Sequence, residues 1–202
     1  MLNLIAKEAP DFTAEAVLAD NSIESEYSLS SLRDKYVILF FYPLDFTFVC
    51  PTEILAFDER LDEFKSRNAE VIGVSVDSVY THLAWKNTPV DRGGIGPIGY
   101  PLVSDLNKGI ARDYGVLMDD GVALRGSFLI DRRGFVRHAV LNDLPLGPSV
   151  SESLRMLDAL RCFDQKGRLC PANWESGNEG MEESSSGVID YLSKFSRSGE
   201  RD

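Results

Sequence analysis

The chain has 202 residues, 44% hydrophobic and 26% charged, with a formal net charge of −11. It is long enough to bury a sizeable core without disulfide staples. The acidic balance leaves no basic stripe for phosphates, so nucleic acid and membrane surfaces are not expected partners.

The opening Met1-Leu2-Asn3-Leu4-Ile5-Ala6 is too short for a signal-peptide core and runs into Lys7-Glu8, so a cytoplasmic location is expected. No apolar stretch approaches the ~20 residues of a membrane span. Tyr36-Val37-Ile38-Leu39-Phe40-Phe41-Tyr42 reads as a core strand, nearly all apolar and bounded by charge and proline. After it, Pro43-Leu44-Asp45-Phe46-Thr47-Phe48-Val49-Cys50 leads into Pro51, which suits a first helical position. Ile54, Phe57, Leu61 and Phe64 then recur at helical spacing, so Cys50 is predicted where a strand hands over to a helix, at or near the helix N-terminus.

Glu70-Val71-Ile72-Gly73-Val74-Ser75-Val76 predicts a second buried strand, with Asp77 or Ser78 capping a helix through Trp85 and a glycine loop at Gly93-Gly94-Ile95-Gly96. That order implies a parallel crossover in a central sheet. A short strand near Pro101-Leu102-Val103, a helix from about Asp105 to Tyr114, and a hairpin turning at Asp131-Arg132-Arg133-Gly134 follow. Ser149 or Ser151 opens a further helix with Val150, Leu154, Leu157, Leu160 and Phe163 on one face. Residues 175–187 are rich in Glu, Gly and Ser and read as a mobile arm, before a short terminal helix carrying Val188, Ile189, Tyr191, Leu192 and Phe195. The pattern is α/β: a thioredoxin-like fold with a central mixed sheet flanked by helices and a C-terminal arm. Its expected division is a domain over 1–165 and an arm over 166–202.

Cys50, Cys162 and Cys170 are an odd set that argues against a structural disulfide framework. No Cys-x-x-Cys occurs, and His82 and His138 lack convincing ligand spacing, so no metal or cofactor is expected and both histidines read as structural or surface residues. Cys162, near Leu160 and Phe163, reads as a packing residue. The chemistry rests on Cys50. A free cysteine with a pKa of about 8.5 is only about 3% thiolate at pH 7, and bringing such a thiol to a pKa of roughly 6 takes on the order of 3 kcal/mol. A helix N-terminus supplies about 0.3–2 kcal/mol, so the site must recruit a cation and donors from elsewhere. Thr47 offers a hydroxyl, and Arg125, before the strand Ser127-Phe128-Leu129-Ile130, offers a guanidinium that sequence alone does not place.

Pro43, Thr47 and Cys50 match the Pro-x-x-x-Thr-x-x-Cys signature of peroxiredoxins, and Phe41 through Glu53 resembles the two-cysteine branch that includes alkyl hydroperoxide reductase C-type proteins. Leu169-Cys170-Pro171-Ala172-Asn173-Trp174 resembles that branch's second cysteine motif. The resemblance spans nearly the whole chain and implies a peroxidase in which the Cys50 thiolate attacks a hydroperoxide to give a sulfenic acid, resolved by Cys170 as a disulfide. Arg125, Thr47 and nearby backbone N–H groups would stabilise the departing oxygen, Pro43 would shield the sulfur, and Glu53 would orient the arginine. Further implied are regeneration by thioredoxin or a flavoprotein disulfide reductase and a homodimer commonly assembled as a ring of five dimers. Where Leu144-Pro145-Leu146-Gly147 leads on, many relatives have a supporting arginine and this chain has Pro148. The glycine loop and Tyr191-Leu192 resemble features associated with overoxidation sensitivity. Two other readings of the chain are a redox-controlled holdase or scaffold and a one-cysteine peroxidase with Cys170 idle.

Overall fold

The computed structural model describes residues 3–198, with side chains through 194. Contacts divide the chain into two compact units, Met1–Ser153 and Leu154–Asp202.

The first unit is built on β1 (Thr13–Val17), β2 (Ile23–Ser28), β3 (Tyr36–Phe41), β4 (Ala69–Ser75), β5 (Leu102–Ser104), β6 (Arg125–Ile130) and β7 (Val136–Asn142), in the spatial order β2-β1-β5-β4-β3-β6-β7. β3, β4 and β5 run parallel and the outer pairings are antiparallel, giving the expected mixed sheet. Every residue of β3 is buried, as a continuous apolar run covered on both faces requires. Gly73 lets the neighbouring strands and rings close up: a Cβ there would lie 2.7 Å from Leu102 Cδ2 and 3.0 Å from Phe40 Cζ. β1 and β2, which hydrophobic pattern alone does not single out, are a polar edge hairpin whose outer strand is Ile-Glu-Ser-Glu-Tyr-Ser.

The helical run after Cys50 is two pieces, α1 (Cys50–Glu59) and α2 (Leu61–Ser66), separated at Arg60, whose φ of −104° and ψ of 9° leave the helical region. The break is shallow enough that Ile54, Phe57, Leu61 and Phe64 all stay buried. α1 is fixed to the sheet by Phe57 stacked on Phe40 at 4.5 Å and by the Tyr100 hydroxyl donating to the Ile54 carbonyl at 2.7 Å.

α3 (Val79–Lys86) is capped by Ser78, whose hydroxyl oxygen accepts from Thr81 N–H. The glycine loop closes on the end of α3: Trp85 Nε1–H donates to Gly93 O at 2.9 Å, and a Cβ on Gly94 would lie 1.8 Å from Thr88 O. The helix expected over 105–114 is only α4 (Gly109–Asp113). The Asp105 carboxylate, instead of starting a helix, reaches forward to accept from Ile110 and Ala111 N–H at 3.0 and 2.7 Å, and Lys108 turns the chain with φ 62°.

α5 (Val150–Lys166) begins where Ser149 Oγ accepts from Glu152 N–H at 3.2 Å. In the second unit, residues 175–187 are more structured than a mobile arm implies. Leu169 and Met181 pair as a bridge, and Trp174 is buried with its Nε1–H donating to Asn178 O at 3.1 Å. α6 (Ser185–Ser198) presents Val188, Ile189 and Leu192 to solvent, while the Phe195 side chain lies outside the described residues. Among the described residues, no helix is long and apolar enough to cross a membrane.

Candidate active site

Cys50 is the first residue of α1 and only 1% exposed, with Pro51 next to it in the first turn. Pro51 has no N–H and the Thr52 and Glu53 N–H groups donate to the Val49 carbonyl at 3.0 and 3.3 Å, so what the helix brings to the sulfur is the positive end of its dipole. The cation comes from β6. Phe41 is paired with Gly126, so Arg125 sits opposite the point where the chain leaves β3 for the loop that ends at Cys50. Arg125 Nη1–H donates to Cys50 Sγ at 3.4 Å and also to Glu53 Oε2, while its Nε–H donates to the Leu144 carbonyl at 2.6 Å. The backbone of the segment ending at Pro148 thus supports the guanidinium.

Arg125 and Glu53 are both buried, and Glu53 lies one turn after Cys50, so the pair shares the sulfur's environment. Burial pushes the Glu53 carboxyl up to about 7, with Arg125 working against that rise. A protonated Glu53 leaves the arginine charge uncompensated toward the sulfur. For Arg125, burial disfavours the cation, but the Cys50 hydrogen bond and the Glu53 charge outweigh it and hold the guanidinium above its ordinary value.

Pro43 is buried at the start of the loop. Thr47 does not spend its proton on the sulfur: its hydroxyl donates to the Leu44 carbonyl at 2.8 Å. In this arrangement the Thr47 oxygen is an acceptor, not the oxyanion donor that the motif suggested. Phe46 adopts φ 53°, a left-handed conformation that costs a bulky residue about 1–2 kcal/mol.

Hydrophobic pattern gave no notice of the polar knot beneath this loop. Tyr42 O–H donates to Asp45 Oδ1 at 2.8 Å, and Asp45 Oδ2 is hydrogen-bonded to His82 Nδ1 at 2.7 Å. Asp45 N–H donates to Asp77 Oδ2 at 2.9 Å, and that same oxygen accepts from Ser75 O–H at 2.7 Å. The one visible signal was an acidic residue inside an otherwise apolar segment. His82, expected to be structural or on the surface, is fully buried.

Cys170 belongs to the second unit, where its thiol donates to the Ala159 carbonyl at 3.4 Å. Burial and the adjacent Cys162 thiol push it up to about 11, with Arg155 opposing.

A buried cysteine on the first turn of a helix, hydrogen-bonded by an arginine that is itself oriented by a carboxylate, on a mixed sheet of this topology, defines a thiol-based oxidoreductase. The AhpC/TSA family model matches residues 5–139. The chain is 54% identical over 194 residues to alkyl hydroperoxide reductase C of Helicobacter pylori (strain J99), covering 96% of this chain and 98% of that protein. It is 52% identical over 191 residues to peroxiredoxin-1 of Gallus gallus, covering 94% and 96% respectively. The crystal structure of the reduced 2-Cys peroxiredoxin of Plasmodium vivax superposes with a TM-score of 0.93 at 53% identity, covering 95% of this chain and all of that one. The chain belongs to the AhpC/TSA family and is a thiol peroxidase of the two-cysteine peroxiredoxin type.

Proposed function

We propose that Cys50 is the peroxidatic nucleophile and Cys170 the resolving thiol. The observation that carries this is the Arg125 guanidinium 3.4 Å from a cysteine sulfur at a helix N-terminus. The Cys50 thiolate attacks the terminal oxygen of a hydroperoxide: an S–O bond forms, the O–O bond breaks, and the alkoxide or hydroxide takes a proton to leave as alcohol or water. Charge grows on the departing oxygen, where Arg125 and the positive end of the α1 dipole bind it better than they bind the ground state. The Thr47 oxygen, its own proton committed to Leu44, accepts the hydrogen of the incoming hydroperoxide. Pro43 walls the sulfur and Glu53 orients the arginine.

Cys170 then attacks the sulfenic acid, an S–S bond forms and water leaves. Disulfide geometry needs Cα atoms within about 7 Å. With Cys50 1% exposed, its helical turn must open first. Release of Cys170 from Cys162 and the Ala159 carbonyl raises its thiolate fraction, so its reactivity follows undocking. A disulfide between subunits of a homodimer, a ring of five such dimers and regeneration by thioredoxin or a flavoprotein disulfide reductase complete the reading, on family resemblance. Cys50→Ser should abolish peroxide consumption. Cys170→Ser should keep one round of reduction and lose thioredoxin-coupled turnover; unchanged turnover would leave a one-cysteine peroxidase.

A further inference from the structure

Three buried side chains of the first unit, Tyr42, Asp45 and His82, take no part in the chemistry above, yet they hold the middle of the segment that carries Cys50. From this geometry we infer that the Tyr42–Asp45–His82 knot is a positioning clamp that holds the Cys50 turn closed and so sets the balance between peroxide attack and disulfide formation. The inference rests on the assignment of Cys50 and Cys170 and deepens it.

Asp45 is five residues before Cys50 and is tied down at three atoms. Oδ1 accepts from Tyr42 O–H at 2.8 Å, Oδ2 is hydrogen-bonded to His82 Nδ1 at 2.7 Å, and its N–H donates to Asp77 Oδ2 at 2.9 Å. The anchors come from three separate places: the end of β3, α3, and the turn after β4. His82 is itself braced, with Nε2 3.3 Å from the Val103 carbonyl of β5. The clamp therefore fastens the loop to three adjacent parallel strands and the helix packed beside them.

The residue next to the clamp is the one under strain. Phe46 has φ 53°, half its surface in solvent, and a ring 5.7 Å from that of Trp85 at a 39° tilt. A loop whose strained residue is largely exposed gains by relaxing, and the buried Asp45 bonds are what it must break to do so. Opening exposes the Cys50 sulfur for resolution, whereas closure keeps Arg125 and the positive end of α1 at it for attack. Weakening the clamp must then speed disulfide formation without speeding peroxide attack. A residue that only stabilised the fold would not separate them.

Tyr42→Phe removes one hydrogen bond and retains the ring; Asp45→Asn weakens all the side-chain anchors. Rapid-mixing kinetics on the full chain would follow Cys50 oxidation by hydrogen peroxide and disulfide formation separately, with mass mapping of sulfinic acid per turnover. For Tyr42→Phe the expected result is disulfide formation faster by about threefold to tenfold, the worth of one hydrogen bond. Oxidation should be unchanged or slower, and sulfinic acid reduced. Asp45→Asn should go further in the same sense; if it does not fold, Tyr42→Phe decides alone. Both steps slowed together, or an unchanged ratio, overturns the clamp. If oxidation in the parent protein maps to a residue other than Cys50, the assignment of the site falls and the clamp with it. A parent oxidised at Cys50 beside variants of unchanged ratio overturns the clamp alone.

Discussion

Replacing Arg125 by methionine keeps an unbranched side chain in the slot and removes the charge. At 3.4 Å from the sulfur, a unit charge pair at an effective dielectric of about 20 interacts by about 5 kcal/mol. Part of that is already spent, since the same guanidinium is offset by Glu53 to the extent that carboxyl is ionised, and is desolvated by its burial. A charged hydrogen bond measured net of such costs is worth about 1.5–3 kcal/mol. At about 1.4 kcal/mol per decade, Arg125→Met should slow Cys50 oxidation by roughly tenfold to a hundredfold. The assay is single-turnover stopped flow with hydrogen peroxide, reported as a second-order rate constant, with thermal unfolding run in parallel. Arg125→Lys should recover only part of the rate, because a lysine ammonium cannot span Cys50, Glu53 and the Leu144 carbonyl in a fixed fork. A folded Arg125→Met protein within about threefold of the parent would refute the electrostatic account of the site.

Glu53 ties stability to pH. Its carboxyl lies near 7 in the fold against 4.5 as a model group, so between those values the folded state binds more protons and stability falls as pH rises. Against Glu53→Gln, the parent should lose about 3 kcal/mol of relative stability from pH 4.5 to above 7 in denaturant titrations; parallel curves would contradict the burial argument. Cys162→Ala removes a group that helps hold the Cys170 thiol near 11, so alkylation of Cys170 near pH 8 should speed up, by as much as about tenfold, as followed by mass spectrometry. An unaltered rate would mean that Cys162 has no hold on it. Gly94→Ala places a Cβ against the Thr88 carbonyl and should cost about 1–3 kcal/mol, lowering the melting temperature by several degrees. A fully preserved melting temperature would show that the glycine loop yields freely.

Much of this molecule is legible along the chain because the forces responsible are local. The unbroken apolar run of β3, the proline in the first turn of α1 and the 3.6-residue spacing of Ile54, Phe57, Leu61 and Phe64 each act over a few residues, and together they place Cys50 at a strand-to-helix junction. The same locality explains one misreading and one omission. Asp105 has the look of a helix start, but its carboxylate caps a helix that begins later, and the charged β2 hides a strand whose stability comes from its partner β1. What only the tertiary structure decided is which side chains meet Cys50. Arg125 is brought there by the Phe41–Gly126 pairing of β3 with β6, and His82 reaches Asp45 because α3 packs beside the parallel strands. Those partners are separated by 75 and 37 positions in the chain. Hydrophobic periodicity specifies which face of an element is buried, but not the register in which two distant elements pair, and it is that register that sets an arginine against a cysteine at a helix end.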